Sequence, residues 1–151
     1  MQITRFTDLS LRVLMYLTVP PTGGPATIDE IATRFDVSRH HLAKVVHRLG
    51  QLGWIVATRG KGGGLTLAKP ADQYRLGEVV RELEGGEPVI DCTSQPCVLL
   101  HGCNVRVALS DAQQAFYQRL DTYTLADVVR QQTKASIIEL HRGRRPAPTA
   151  A

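Results

Sequence analysis

Residues 27–50 read TIDEIATRFDVSRHHLAKVVHRLG. Thr27 followed by Glu30 is a capping-box pattern, so a helix is expected to start at Ile28. Ile28, Ile31, Ala32 and Phe35 recur along it at helical spacing. Asp36 and Val37 make a short turn, and Ser38 is placed to cap the next helix. That second helix turns Leu42, Val45, Val46 and Leu49 to one side and Arg39, His40, Lys44 and His47 to the other. Two short helices joined by a tight turn, the second with a polar and basic outer face, form a helix-turn-helix pattern. In such units the first residues of the second helix approach base edges in the major groove. Thr27, Ser38, Arg39, His40 and Lys44 are therefore candidate DNA-contacting residues. A solvated helix face is the plain alternative for the histidines, with equal weight at His41.

The stretch that follows, WIVATRGKGGGLTLAKP over residues 54–70, adds a hairpin. Trp54 to Thr58 has strand character, Gly60 to Gly64 turns, and Leu65 to Leu67 returns. A hairpin placed directly after the second helix makes the unit a winged helix. Arg59 and Lys61 sit at its tip, and Gly62 and Gly63 let the backbone approach a phosphate or enter a narrow groove. A nucleotide-binding loop is disfavoured. GKGGG lacks the G-x-x-x-x-G-K-[ST] spacing, and no βαβ unit surrounds it.

Upstream, residues 3–19 read as a helix with Phe6, Leu9, Val13 and Leu17 on one face, widened by Leu14 and Tyr16. Asp8 lies in its first turns, where a carboxylate complements the helix dipole. Downstream, Leu76 to Leu83 is a short helix with an acidic exposed side. Gly85, Gly86 and Pro88 then release the chain. After Cys103 comes the longest expected helix, carrying Val105, Leu109, Ala112, Phe116 and Leu120 as one stripe. The stripe suits packing against a second copy better than packing within the chain. Thr124 and Asp127 start a further short helix with Leu125, Val128 and Val129. The boundaries read as 1–84 for the winged helix-turn-helix, 85–103 for a cysteine loop, 104–140 for dimerisation helices and 141–151 for a basic, disordered tail. The fold class is mainly α, with one small β-hairpin and a long C-terminal dimerisation helix.

All three cysteines fall in DCTSQPCVLLHGC, residues 91–103. The spacing C-x4-C-x5-C, broken by Pro96 and Gly102, can turn Cys92, Cys97 and Cys103 towards one point. Thiolates are soft donors that favour iron–sulfur clusters, zinc and copper(I). Clusters usually take four ligands, so one must come from elsewhere. Structural zinc sites usually combine two ligand pairs such as C-x2–4-C, whereas this loop has Cys92-x4-Cys97 with Cys103 alone beyond it. A thiol redox switch and simple coincidence are the other readings. The opening MQITRFTDLS has no basic region leading into an apolar core. The expectation is a cytoplasmic protein, where disulfides are rare. No apolar run approaches the roughly 20 residues of a membrane span.

Charge is distributed unevenly along the 151 residues, whose formal net charge is +4. Residues 1–70 hold nine Lys/Arg against four Asp/Glu, whereas residues 71–127 hold four against nine. A basic first half suits a polyanionic partner. An enzyme is a weak alternative: no catalytic carboxylate pair is apparent, and a Cys/His pair such as Cys103 and His101 is too common to carry a claim.

Together, FTDLSLR (6–12), VSRHHLAKVVHRL (37–49), TRGKGGGLTLAKP (58–70), VVRELEG (79–85), the cysteine loop and DTYTLADVV (121–129) resemble a known family. It is the family of winged-helix repressors that carry iron–sulfur clusters, and the resemblance covers residues 1 to about 130. Its NsrR-type members sense nitric oxide; its IscR-type members regulate cluster assembly. In the IscR type a histidine three residues after the last cysteine is the fourth ligand, and here Arg106 stands there. In the NsrR type an aspartate of the first helix serves, from across the dimer, and Asp8 matches it. The resemblance thus implies Cys92, Cys97, Cys103 and Asp8 as ligands, with Asp91, His101 or a small molecule as runners-up for the fourth. It implies a 4Fe–4S rather than a 2Fe–2S cluster, a homodimer, and double-stranded operator DNA as partner. Reaction with nitric oxide would release that DNA. A related regulator sensing redox state, iron or cluster supply is the alternative.

Overall fold

The computed structural model describes residues 2–21, 24–60, 62–94 and 96–143. The first helix, α1 (Arg5–Leu17), is capped by Thr4, whose hydroxyl accepts from the Thr7 amide at 3.2 Å. Its inward side differs from the expected one. Val13, Leu14 and Tyr16 are fully buried, but so are Thr7 and Ser10, while Phe6 and Leu9 pack only at the margin. Local bonding makes this possible: the Ser10 hydroxyl donates to the Phe6 carbonyl at 2.7 Å, and the Thr7 hydroxyl lies 3.0 Å from that of Thr4. A hydroxyl paired with its own helix can be buried at little cost.

Helix α2 (Ile28–Phe35) starts at Thr27, whose side chain accepts from the Glu30 amide at 3.2 Å. The Glu30 carboxylate accepts from the Tyr16 hydroxyl at 3.0 Å, so this residue ties α2 to α1. Asp36, in the left-handed region at φ 55°, ends α2. Helix α3 (Arg39–Gln51) follows, with Leu42, Val45, Val46 and Leu49 buried as expected. Ser38 occupies its N-cap position but makes no side-chain cap bond, which corrects the expected capping role; its side chain is exposed.

The wing is a two-stranded antiparallel sheet, β1 (Ile55–Ala57) and β2 (Leu65–Leu67), in the register Ile55↔Leu67, Val56↔Thr66 and Ala57↔Leu65. Leu65 also bonds Ala26 backbone to backbone at 2.7 Å, joining the wing to the start of α2. A side chain at Gly63 would lie 2.2 Å from the Thr58 carbonyl, so the tight hairpin itself requires this glycine. Tyr74, buried and following a short 3-10 turn at Ala71–Gln73, donates to the Trp54 carbonyl at 2.6 Å and accepts from the Lys69 amide at 3.2 Å. It pins the wing to the helices.

Helix α4 (Leu76–Leu83) packs against α5 (Asn104–Asp121). The approach is tight at Gly77, where a Cβ would lie 2.2 Å from the Asp121 carboxylate and 2.4 Å from the Tyr117 carbonyl. Tyr117 is the buried residue of α5. Of the expected stripe, Leu109, Phe116 and Leu120 are half-buried, while Ala112 and Val105 are exposed. Helix α6 (Leu125–Val128) has a complete capping box between Thr124 and Asp127.

Helix α7 (Gln131–His141) falls within the segment read as dimerisation helices, yet Ile137 and Leu140 pack on the chain's own core. His141 lies at the assumed start of the tail, but its ring stacks 4.1 Å from that of Tyr16. The rest of that tail, from residue 144, lies outside the described residues.

Candidate nucleic-acid interface and cysteine loop

Arg39, His40, His41, Lys44 and His47 are all exposed on α3, opposite its buried face. Arg39 is held by Asp29 of α2 at 2.6 Å, an ion pair open to solvent and therefore easily exchanged for a phosphate. Arg48 meets Glu82 at 2.8 Å and fixes α3 against α4. Of the other residues expected at DNA, Ser38 is exposed beside Arg39, and the Thr27 hydroxyl is engaged in capping α2. Arg59 is exposed at the end of β1, and Gly62 holds φ +81° in the turn. Lys61 lies outside the described residues. The N-terminal half of α3 and Arg59 of the wing are thus open to solvent.

The cysteine loop leaves α4 through Gly85 and Gly86, at φ +77° and +65°. Asp91 organises its start: its Oδ1 accepts from the Thr93 amide at 2.8 Å, the Thr93 hydroxyl at 3.0 Å and the Ser94 amide at 3.0 Å. Hydrogen bonds from Ser94 and Thr93 hold this exposed carboxyl well below the usual carboxylate range. Gln113 of α5, a residue without any periodic signal, grips the same limb. It donates to the Glu87 carbonyl at 2.6 Å and accepts from the Val89 amide at 3.3 Å. All three cysteines are free thiols, with Cys97 exposed and Cys92 and Cys103 half-buried. Cys103 stands at the N-cap of α5. A cavity of about 620 Å³ opens between loop and helix, lined among others by Asp91, Cys92, Arg106 and Ser110.

Asp8 lies elsewhere. Its carboxylate is held by Arg12 one turn on, Oδ2 at 2.8 Å and Oδ1 at 3.1 Å. It borders a second cavity of about 600 Å³ whose other wall is the start of α3, with Ser38, His41 and Lys44. No cysteine lines this second cavity. Among the described residues, no three His, Cys, Asp or Glu side chains stand close enough to hold one metal ion. The fold therefore leaves Arg39, His40, Lys44 and Arg59 exposed and sets Asp8 beside α3. Within one chain it does not bring Asp8 to the cysteines.

A winged helix with an exposed basic second helix defines a DNA-binding regulator. The chain belongs to the Rrf2 family, described as iron-dependent transcriptional regulators, whose model matches residues 3–131. The fold recurs in solved structures of low identity. CymR (YrzC), the global cysteine regulator of B. subtilis, is 23% identical at a TM-score of 0.66, covering 85% of this chain and 95% of that one. The oxidized form of Staphylococcus aureus CymR is 24% identical at 0.68, covering 87% and 98%. T. potens IscR is 21% identical at 0.69, covering 89% and 90%. No helix among the described residues is long and apolar enough to cross a membrane.

Proposed function

We propose that the protein is a homodimeric, cytoplasmic repressor of the NsrR type. On this reading it holds an iron–sulfur cluster, releases its operator when nitric oxide reaches that cluster, and is not an enzyme. The observation that carries the reading is the free state of all three thiols in one loop, beside a winged helix with an open α3 face. The donor set fits a cluster chemically: three soft sulfurs and a carboxylate. Cys92, Cys97 and Cys103 would hold it with Asp8 of the partner subunit, since Asp8 stands apart from the cysteines of its own chain. A 4Fe–4S cluster is preferred to 2Fe–2S on the resemblance. Such a cluster, when bound, supplies one iron held weakly by a hard oxygen, open to a small neutral molecule.

The chain's own residues do the rest. The exposed residues at the start of α3 read bases, and Arg59 with Lys61 attract phosphates. The exposed part of the α5 stripe suits burial against a second copy. Two recognition helices in a dimer must meet half-sites about one helical turn apart. Asp8 lines the same cavity as Ser38, His41 and Lys44, which offers a route from Asp8 to the start of α3. Asp91 is bound up in its own turn, which favours Asp8 as the fourth ligand.

The test is iron and sulfide analysis of anaerobically purified protein and its Cys92→Ala, Cys97→Ala and Cys103→Ala variants. Wild type with bound iron and sulfide, and folded variants without them, is expected. Equal iron in all four would remove the cysteines from the reading. The family's description as iron-dependent favours one second reading, a regulator that reports iron or cluster supply through the same residues. Insensitivity to nitric oxide with sensitivity to iron supply would select it.

A further inference from the structure

We propose that Glu84 is a positioning residue for Asp8, fixing the first turn of α1 to the end of α4 from which the cysteine loop departs. The inference rests on the cluster reading above. Glu84 Oε1 lies 2.9 Å from the Thr4 amide and 3.0 Å from the Thr4 hydroxyl. Thr4 is the N-cap of α1, and its carbonyl accepts from the Asp8 amide at 3.0 Å. One residue thus separates Glu84 from the backbone of Asp8. On its other side, Glu84 is the C-cap of α4, its amide bonded to the Val80 carbonyl at 2.9 Å. The two glycines with positive φ come immediately after it. Glu84 is the last residue bonded within α4 before the chain enters the cysteine loop.

The chemistry suits the role. The first amides of a helix have no intrahelical acceptor, and the positive end of the dipole attracts an anion. Burial alone would raise the Glu84 carboxyl, but hydrogen bonds from Thr7 and Thr4 outweigh it and keep the group below its ordinary value. The Arg12 contact does not duplicate this role. Arg12 lies on α1 itself, so it orients the Asp8 side chain but cannot hold the helix in place.

The experiment compares wild type, Glu84→Ala, Glu84→Gln, Asp8→Ala and the Asp8→Ala/Glu84→Ala double variant. Two readouts are needed: amide hydrogen exchange over residues 5–8 in iron-free protein, and iron release to a ferrous chelator after anaerobic reconstitution. Glu84→Ala is expected to speed both by about threefold or more, the scale of one lost hydrogen bond. Glu84→Gln keeps the accepting Oε1 and should restore both. In the Asp8→Ala background, Glu84→Ala should add nothing to iron release, because its effect passes through Asp8. Should Glu84→Ala fail to fold, Glu84→Leu removes the accepting oxygens while keeping side-chain bulk and is expected to act the same way. Faster exchange with iron release unchanged, while Asp8→Ala still sheds iron, would overturn the proposal and leave the cluster reading intact. Wild-type protein that takes up no iron would overturn both.

Discussion

The winged helix and the cysteine loop show opposite ways of using side chains. In the winged helix, Leu14, Ile31, Leu42 and Leu49 are fully buried, and polar residues such as Tyr16 and Tyr74 have partners. In and around the loop, Val98 is entirely exposed, Leu99 and Val105 are more than half exposed, and three thiols are unpaired. A chain that buries its apolar residues so fully in one region and so little in the next has not run out of core material. On the proposed reading, a cluster and a second copy of the chain are what the loop would close on.

The largest test of this contrast is stability. Leu49→Ala should cost about 2–5 kcal/mol, as for a buried leucine in a packed core. Leu99→Ala should change the iron-free chain by no more than about 0.5 kcal/mol. Chemical denaturation measures both, and similar losses at the two positions would remove the contrast. Next in size is the seam between α4 and α5. Gly77→Ala places a methyl group against the Tyr117 carbonyl and the Asp121 carboxylate, and overpacking of this kind costs about 1–3 kcal/mol. It should lower the melting temperature and shift α5 relative to α4.

On the DNA side, Arg59→Ala should weaken binding to every sequence and lower the salt slope by about one. Substitution of Arg39, His40 or Lys44 should instead change sequence preference, read from binding to operator variants. The smallest effect is one of pH. Burial lowers the His141 pKa from its ordinary value, against the raising influence of nearby backbone carbonyls and Glu30. The unfolded chain then binds this proton more readily, so the stabilising contribution is complete above about pH 6.5 and lost as pH falls through the folded value. His141→Gln should flatten that part of the pH–stability curve. An unchanged curve would mean that His141 is not held neutral against Tyr16.

These regions also differ in how legibly the sequence encodes them. Helix α4 and strand β2 begin and end where the apolar spacing says, because their patterns are dense and bounded by glycine, proline or a cap. The inward face of α1 is misjudged because Thr7 and Ser10 look polar, and only the fold shows their hydroxyls satisfied by neighbours. Tyr74 and Gln113 carry no periodic signal, since each acts through two hydrogen bonds to backbone elsewhere in the chain. Helix α7 lacks a clear stripe and reaches the core mainly through Ile137 and Leu140. In the site, cysteine spacing is visible as chemistry, and Asp8 is singled out only by resemblance. Within one chain the described residues do not gather the thiols with a fourth donor, so local sequence does not show how the proposed site would close.

The most direct measurement is an anaerobic titration of the purified protein with nitric oxide, following visible absorption, iron and sulfide content and operator binding in the same samples. The account predicts coloured protein whose absorption bleaches in proportion to added nitric oxide, with operator released over the same range. Coloured protein that bleaches yet keeps its operator, or colourless protein that binds operator regardless of nitric oxide, would contradict it.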